Sequence, residues 1–96
     1  MLPPTPPEDL AHRRSSRHRA DVAASAVCGC FACLATFPPS EIVEWVDAPD
    51  DAPEALANAF GRTALCPRCG VDAVLGSASG FPITPRFLGR MQTRWF

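Results

Sequence analysis

The chain contains no lysine: all nine of its basic residues are arginine. Alongside abundant alanine and proline, that absence reads as GC-rich coding bias and not as selection for phosphate binding. No apolar run approaches the length of a membrane span, and the N-terminal MLPPTPPEDL lacks a basic segment followed by an apolar one. A membrane anchor and a secretory leader are therefore not expected. Paired carboxylates, a nucleophile elbow, a phosphate-cradling glycine-rich loop and a second metal-ligand cluster are all missing. Large core formers are scarce too. Hydrophobic residues make up 47% of the chain, but many are alanine, and only six Phe and two Trp accompany the scattered Leu, Val and Ile.

What is there must compensate. Ninety-six residues make one domain, and a domain of that size buries too little surface to be comfortably stable without a staple. Eleven prolines divide the chain into short elements. Five cysteines are the remaining resource. Without a secretory segment the expected setting is the reducing cytoplasm, where closely paired cysteines serve as metal ligands or redox groups and not as a disulfide framework.

Four of the cysteines fall into two C-x-x-C pairs, Cys30-Phe31-Ala32-Cys33 and Cys66-Pro67-Arg68-Cys69, with 32 residues between them. Two residues between thiolates allow a tight turn to aim both sulfurs at one tetrahedral ion, with Zn–S bonds of about 2.3 Å. Backbone N–H groups in such a turn reach the sulfurs and spread their charge. Gly70, directly after the second pair, supplies the positive φ that the turn needs. Two pairs complete a shell of four thiolates and leave no open position for catalysis. Closing the long intervening loop adds little cost. Structural zinc contributes roughly 10–16 kcal/mol in small zinc-finger peptides, comparable to the whole stability of a typical domain. The pattern thus predicts one structural Zn2+ on Cys30, Cys33, Cys66 and Cys69. An iron–sulfur cluster or a redox-active pair are the competing chemistries. Cys28, the extra thiol, is expected to be a small hydrophobe beside the site; it is also the candidate replacement ligand or reactive thiol.

Charge is unevenly distributed although the net value is −1. Arg13, Arg14, Arg17 and Arg19 crowd the N-terminal region with His12 and His18. The middle carries Glu41, Glu44, Asp47, Asp50, Asp51 and Glu54. Arg86, Arg90 and Arg94 fall four apart near the C-terminus. The arginines of both ends are candidate nucleic-acid contacts, although cations near a helix C-terminus are also favoured by its dipole.

The expected organisation is a flexible Pro-rich tail over 1–7 and a single domain over 8–96, with an acidic loop at about 47–60. Helix is expected from about Glu8, with Ala20, Ala23, Ala24 and Val27 on one apolar face. Ser40 is placed to cap a short helix carrying Ile42, Val43, Trp45 and Val46. A further turn of helix is expected over 53–60. Short strands at Thr63–Leu65 and Val71–Leu75 would form a hairpin around the second knuckle. Thr84 caps and Pro85 opens a final helix whose stripe is Phe87, Leu88, Met91 and Trp95. The fold class is a small α+β, zinc-ribbon-like domain with helices at both ends.

CGCFACLATFPPSEIVEW, then TALCPRCGVDAVLGSASGFPITPRFLGRMQTRWF, resembles a family of small bacterial cytoplasmic proteins. The shared features are the cysteines, the SEI-x-x-W segment, the CPxCG-x-D knuckle, the SG-x-PIT turn and the terminal WF. The resemblance spans about Ser15 to Phe96. It implies a zinc-ribbon-like bacterial cytosolic protein, and it carries no catalytic residue and no activity. On function, the closed thiolate shell and bipolar charge favour a non-catalytic interaction module for a protein or nucleic-acid partner, with no membrane and no small-molecule substrate. The alternative is a thiol enzyme or redox sensor built on Cys28, with His18 as a candidate partner and no activating base singled out by the sequence.

Overall fold

Proline sets the first element. The computed structural model describes residues 4–96; the first three residues of the expected tail lie outside them. Helix α1, Pro7–Arg13, begins directly after Pro6, because proline's fixed φ suits a helix start and its missing N–H is not needed there. Glu8 and Asp9 occupy its first turn and His12 and Arg13 its last, the polarity that the helix dipole favours. A short α2, Arg19–Ala23, follows. Strands β1 (Cys28–Cys30), β2 (Thr36–Phe37), β3 (Trp45–Val46), β4 (Thr63–Ala64) and β5 (Val74–Gly76) are interrupted by α3 (Ala57–Phe60) and followed by α4 (Pro85–Trp95). The α+β class is therefore as expected, with helices at both ends.

The strands form two small antiparallel sheets, one ordered β2-β1-β5 and the other β3-β4. In the first, Cys28 lies opposite Phe37 on one side and Gly76 on the other, and Cys30 lies opposite Val74. In the second, Trp45 lies opposite Ala64. Helix α4 is capped as expected: the Thr84 hydroxyl accepts from Phe87 N–H at 3.2 Å. Phe87, Leu88 and Met91 are buried from this helix, joining Phe31, Val74 and Leu75 in the core. Gly29 in β1 permits the close approach. A Cβ there would sit 2.7 Å from Leu88 Cδ1 and 2.8 Å from Ile83 Cγ2, so bare backbone lets α4 lie on the sheet.

Three local expectations are corrected. In α2 and at its C-cap the alanines Ala20, Ala23 and Ala24 are exposed and Val22 is the buried residue: one larger side chain captures the packing that three small ones cannot hold. After Ser40 the chain makes only a 3-10 turn, Pro39–Glu41, and then becomes β3. The β-branched Ile42, Val43 and Val46 resist helix, and pairing with β4 satisfies the backbone. Finally, β5 pairs with β1 and not with β4. The second knuckle closes only on itself, and its outgoing strand is used to cross to the first.

The 47–60 stretch is less loose than its composition suggests. Pro53 precedes a 3-10 turn, Glu54–Leu56, which runs into α3. The Asn58 side chain accepts from Trp45 N–H at 2.8 Å and donates to the Val43 carbonyl at 3.2 Å, so it substitutes for a missing strand along the open edge of β3.

Candidate metal centre

The two cysteine pairs fold into two copies of the same turn. In the first, Leu34 N–H donates to the Cys30 carbonyl at 2.8 Å and Cys30 N–H donates to Ala35 at 2.9 Å. In the second, Gly70 N–H donates to the Cys66 carbonyl at 2.9 Å and Cys66 N–H donates to Val71 at 2.9 Å. The correspondence extends to sulfur. Ala32 N–H points at Cys30 Sγ and Arg68 N–H at Cys66 Sγ, both at 3.3 Å. Gly70 has φ 78°, and Leu34, its counterpart after Cys33, has φ 66°. The expected positive φ at Gly70 is thus observed, and the first knuckle imposes the same geometry on a residue that disfavours it.

The turns face each other across the sulfurs. Cys30 Sγ lies 3.7 Å from Cys69 Sγ, and Cys33 Sγ lies 3.7 Å from Cys66 Sγ. All four sulfurs lie within 4.8 Å of one another. The edge of a regular tetrahedron with metal–sulfur bonds of about 2.3 Å is about 3.8 Å, whereas a disulfide requires about 2.05 Å. The four side chains can therefore hold a metal ion, and their spacing suits a tetrahedral one. Cys30 and Cys66 are buried while Cys33 and Cys69 reach solvent. No histidine or carboxylate joins the group, which is the one such cluster among the described residues.

Electrostatics divides the buried pair. Burial pushes the Cys30 thiol well above its ordinary range, only partly offset by the N–H groups of Cys33 and Ala32. Burial also acts upward on Cys66, but N–H groups of Arg68 and Cys69 and the adjoining thiols outweigh it, leaving that group lowered.

Surrounding contacts fix each turn. Phe31, inside the first knuckle, is buried and packs against Phe96 at 5.8 Å between ring centroids. Gln92 from α4 donates to the Ala32 carbonyl at 2.9 Å. Arg68 in the second knuckle pairs with Glu41 at 3.0 Å. None of these partners is signalled by the cysteine spacing. Leu34 was the legible omission, since it follows Cys33 as Gly70 follows Cys69.

Cys28 stands apart from the cluster. It is wholly buried in β1, and burial pushes its thiol up to about 11. His18 is committed elsewhere: its Nε2 contacts the Arg13 carbonyl and its Nδ1 lies 3.9 Å from Asp21. His12 stacks on Trp95 with ring centroids 3.8 Å apart.

The arginines singled out from the sequence have diverse employment. Arg19 donates to the carbonyls of Asn58, Ala59 and Gly61, at 3.1, 3.2 and 2.8 Å, and its guanidinium lies 4.2 Å from the Trp45 ring centroid. It caps the C-terminal end of α3 and holds it to the body. Arg14 lies 3.6 Å from Asp21. Arg90 pairs with Glu8 and Arg94 with Asp9, joining α4 to α1. Among the described residues, the side chains of Arg13, Arg17 and Arg86 make no hydrogen bond or ion pair.

No family model, curated protein or solved structure matches this chain. The reading of the site accordingly rests on its geometry. No helix among the described residues is long and apolar enough to cross a membrane.

Proposed function

We propose that Cys30, Cys33, Cys66 and Cys69 hold one structural Zn2+, and that the protein works as a non-catalytic interaction module in the bacterial cytoplasm. The observation that carries the metal reading is the pair of equivalent knuckles with sulfurs 3.7 Å apart across them. Zinc suits four thiolates in a closed tetrahedral shell and needs no redox partner. An iron–sulfur cluster would hold its ligands back from a multi-atom core, whereas these sulfurs are all within 4.8 Å of each other. Close thiol contacts run between the pairs, Cys30 to Cys69 and Cys33 to Cys66, which favours a shared four-sulfur site over a self-contained redox C-x-x-C. When bound, the ion supplies a cross-link between the β1 knuckle and the β4–β5 knuckle. The protein's own N–H groups at Ala32 and Arg68 spread the charge on Cys30 and Cys66.

A module role follows from four thiolates that leave no open coordination position and from the burial of Cys28. The thiol-enzyme alternative needs an exposed, activated sulfur. Membership of the small bacterial family, and the cytoplasmic setting in which free thiols persist, belong to the same proposal. Between the two partner classes, protein is favoured, because Arg14, Arg19, Arg90 and Arg94 are engaged internally. A gel shift with mixed DNA and RNA at low salt tests the nucleic-acid version, which requires a salt-sensitive complex.

The decisive experiment is elemental analysis of protein purified under reducing conditions without a metal-binding tag. One zinc per chain, with unfolding on chelation, is the expected result. A metal-free chain that is fully folded would overturn the staple.

A further inference from the structure

The acidic excursion between β3 and β4 carries an apolar slot that no part of the described chain fills. Pro49, Ala52, Pro53 and Phe60 wall a shallow depression of ≈ 310 Å³ with Asp51 at its side. Phe60 is 50% exposed, Leu56 of the same excursion is exposed as well, and so are Val46 in β3 and Val43 just before it. Among the described residues, four of the seven exposed large apolar side chains thus fall within 18 residues. A chain this short of large hydrophobes has little reason to leave them in water, and apolar surface framed by polar residues marks a contact surface.

Rigidity supports the same reading. The two prolines fix the slot's walls, and the excursion is tied down by Asn58 to β3 and by Arg19 to α2. A preformed slot costs its occupant little ordering free energy.

Charge selects the occupant. Glu44, Asp47, Asp50, Asp51 and Glu54 surround these apolar residues in sequence, with Asp51 in the slot itself; the two arginines that reach the excursion, Arg19 and Arg62, are committed to its backbone carbonyls. Only Asp47 of these five has a side-chain hydrogen bond, to Thr63, among the described residues. A phosphate backbone would be repelled, and an acidic segment equally so. A long cationic side chain fits all three features. Its methylene stem would lie along the prolines, its charge over the Phe60 face, and its donors on Asp51.

We infer that this slot receives an arginine side chain from a basic, apolar segment of a partner protein. The inference rests on the interaction-module reading and names the partner chemistry for it. Size agrees: at ≈ 310 Å³ the slot lies at the low end for ligand pockets and has room for one long side chain.

The test uses the full zinc-loaded chain, 15N-labelled, titrated with the blocked peptide Leu-Arg-Phe-Arg-Leu and with its Glu-for-Arg counterpart. Zinc content and spectral dispersion are recorded on the same sample. The arginine peptide should shift the amides of residues 50–52 and 60, weaken with salt, and lose about tenfold in affinity in Phe60→Ala. Asp51→Asn should lose about threefold. Both side chains are exposed, so both variants should fold. A dispersed, zinc-loaded spectrum with no shifts at millimolar peptide, shifts confined to other elements, or equal binding of the glutamate peptide would overturn the inference while leaving the module reading intact. A folded chain without zinc would overturn the metal reading alone, because the titration can still be read. Self-association in sedimentation that disappears in Phe60→Ala would also overturn it, by assigning the slot to a second copy.

Discussion

At the residue scale, the four knuckle cysteines and Gly70 were legible because their chemistry is local. A C-x-x-C turn with a following positive-φ residue needs nothing from the rest of the chain. Leu34 shows where that reasoning thins: the same backbone position is occupied by a residue whose propensity argues against it, and the knuckle overrides the preference. The two sites predict different substitution outcomes. A Cβ at Gly70 meets nothing within 4 Å, so Gly70→Ala should cost only the left-handed backbone penalty, about 1–2 kcal/mol by denaturant titration. Cys66→Ser should instead abolish stoichiometric metal binding and shift the chain towards the unfolded baseline in circular dichroism, since the metal contribution exceeds a small domain's entire margin. Cys28 provides the contrast. Its thiol is pushed up to about 11 by burial, so at pH 8 only about one in a thousand molecules would carry the thiolate. Iodoacetamide should label it slowly in the folded, metal-loaded protein and rapidly once chelator and denaturant are added. Fast labelling of the native protein, located by mass spectrometry, would restore the thiol-chemistry alternative.

At the element scale, α4 was readable and the middle of the chain was not. Thr84, Pro85 and the Phe87-Leu88-Met91 stripe encode start, direction and buried face within one segment. The strands are two or three residues long, too short for alternation to register as a period. Their pairing is decided by which edge is free, and that is a tertiary fact. The expected helix after Ser40 fails for this reason: β4 and Asn58 together complete the hydrogen bonding of β3, and no local signal announces either. Arg19 is the other long-range device. It reads as one more member of a basic cluster, yet its guanidinium satisfies three carbonyls at the end of α3 while covering Trp45. Arg19→Ala should leave those carbonyls to water, expose the Trp45 face and cost about 1–3 kcal/mol. Hydrogen exchange should show the loss as faster exchange at Trp45 N–H and around α3, with α4 unchanged. Arg19→Lys should recover only part of it, because an ammonium cannot reproduce the planar fork. Equal protection in wild type and Arg19→Ala would mean that Asn58 alone holds the excursion.

At the scale of the whole molecule, the thiol cluster brings together two separate sheets of the chain. Cys30 belongs to the three-stranded sheet, whereas Cys66 directly follows the two-stranded one. The core contributes Phe31, Leu75, Leu88 and Met91 as its larger fully buried side chains, a small apolar reserve for 96 residues. Global stability should therefore follow metal occupancy, and occupancy should follow pH. Each thiol must lose its proton to become a ligand, so below its pKa each one weakens the apparent affinity by roughly tenfold per pH unit. Cys30, held high by burial, is protonated in the metal-free protein across the neutral range; Cys66, held low, needs less acid-base work. The sign is the same for all of them: acid favours release, and alkali favours retention. Thermal melts of the loaded protein should show a midpoint falling steadily from pH 8 to pH 5, with metal release detected by a chromophoric chelator at the same pH. Added free zinc should raise the midpoint again at fixed pH, as mass action on the folded state demands. A melting midpoint indifferent to pH and to added zinc would mean that packing through α4 suffices to fold the chain and that the thiol cluster is not its staple.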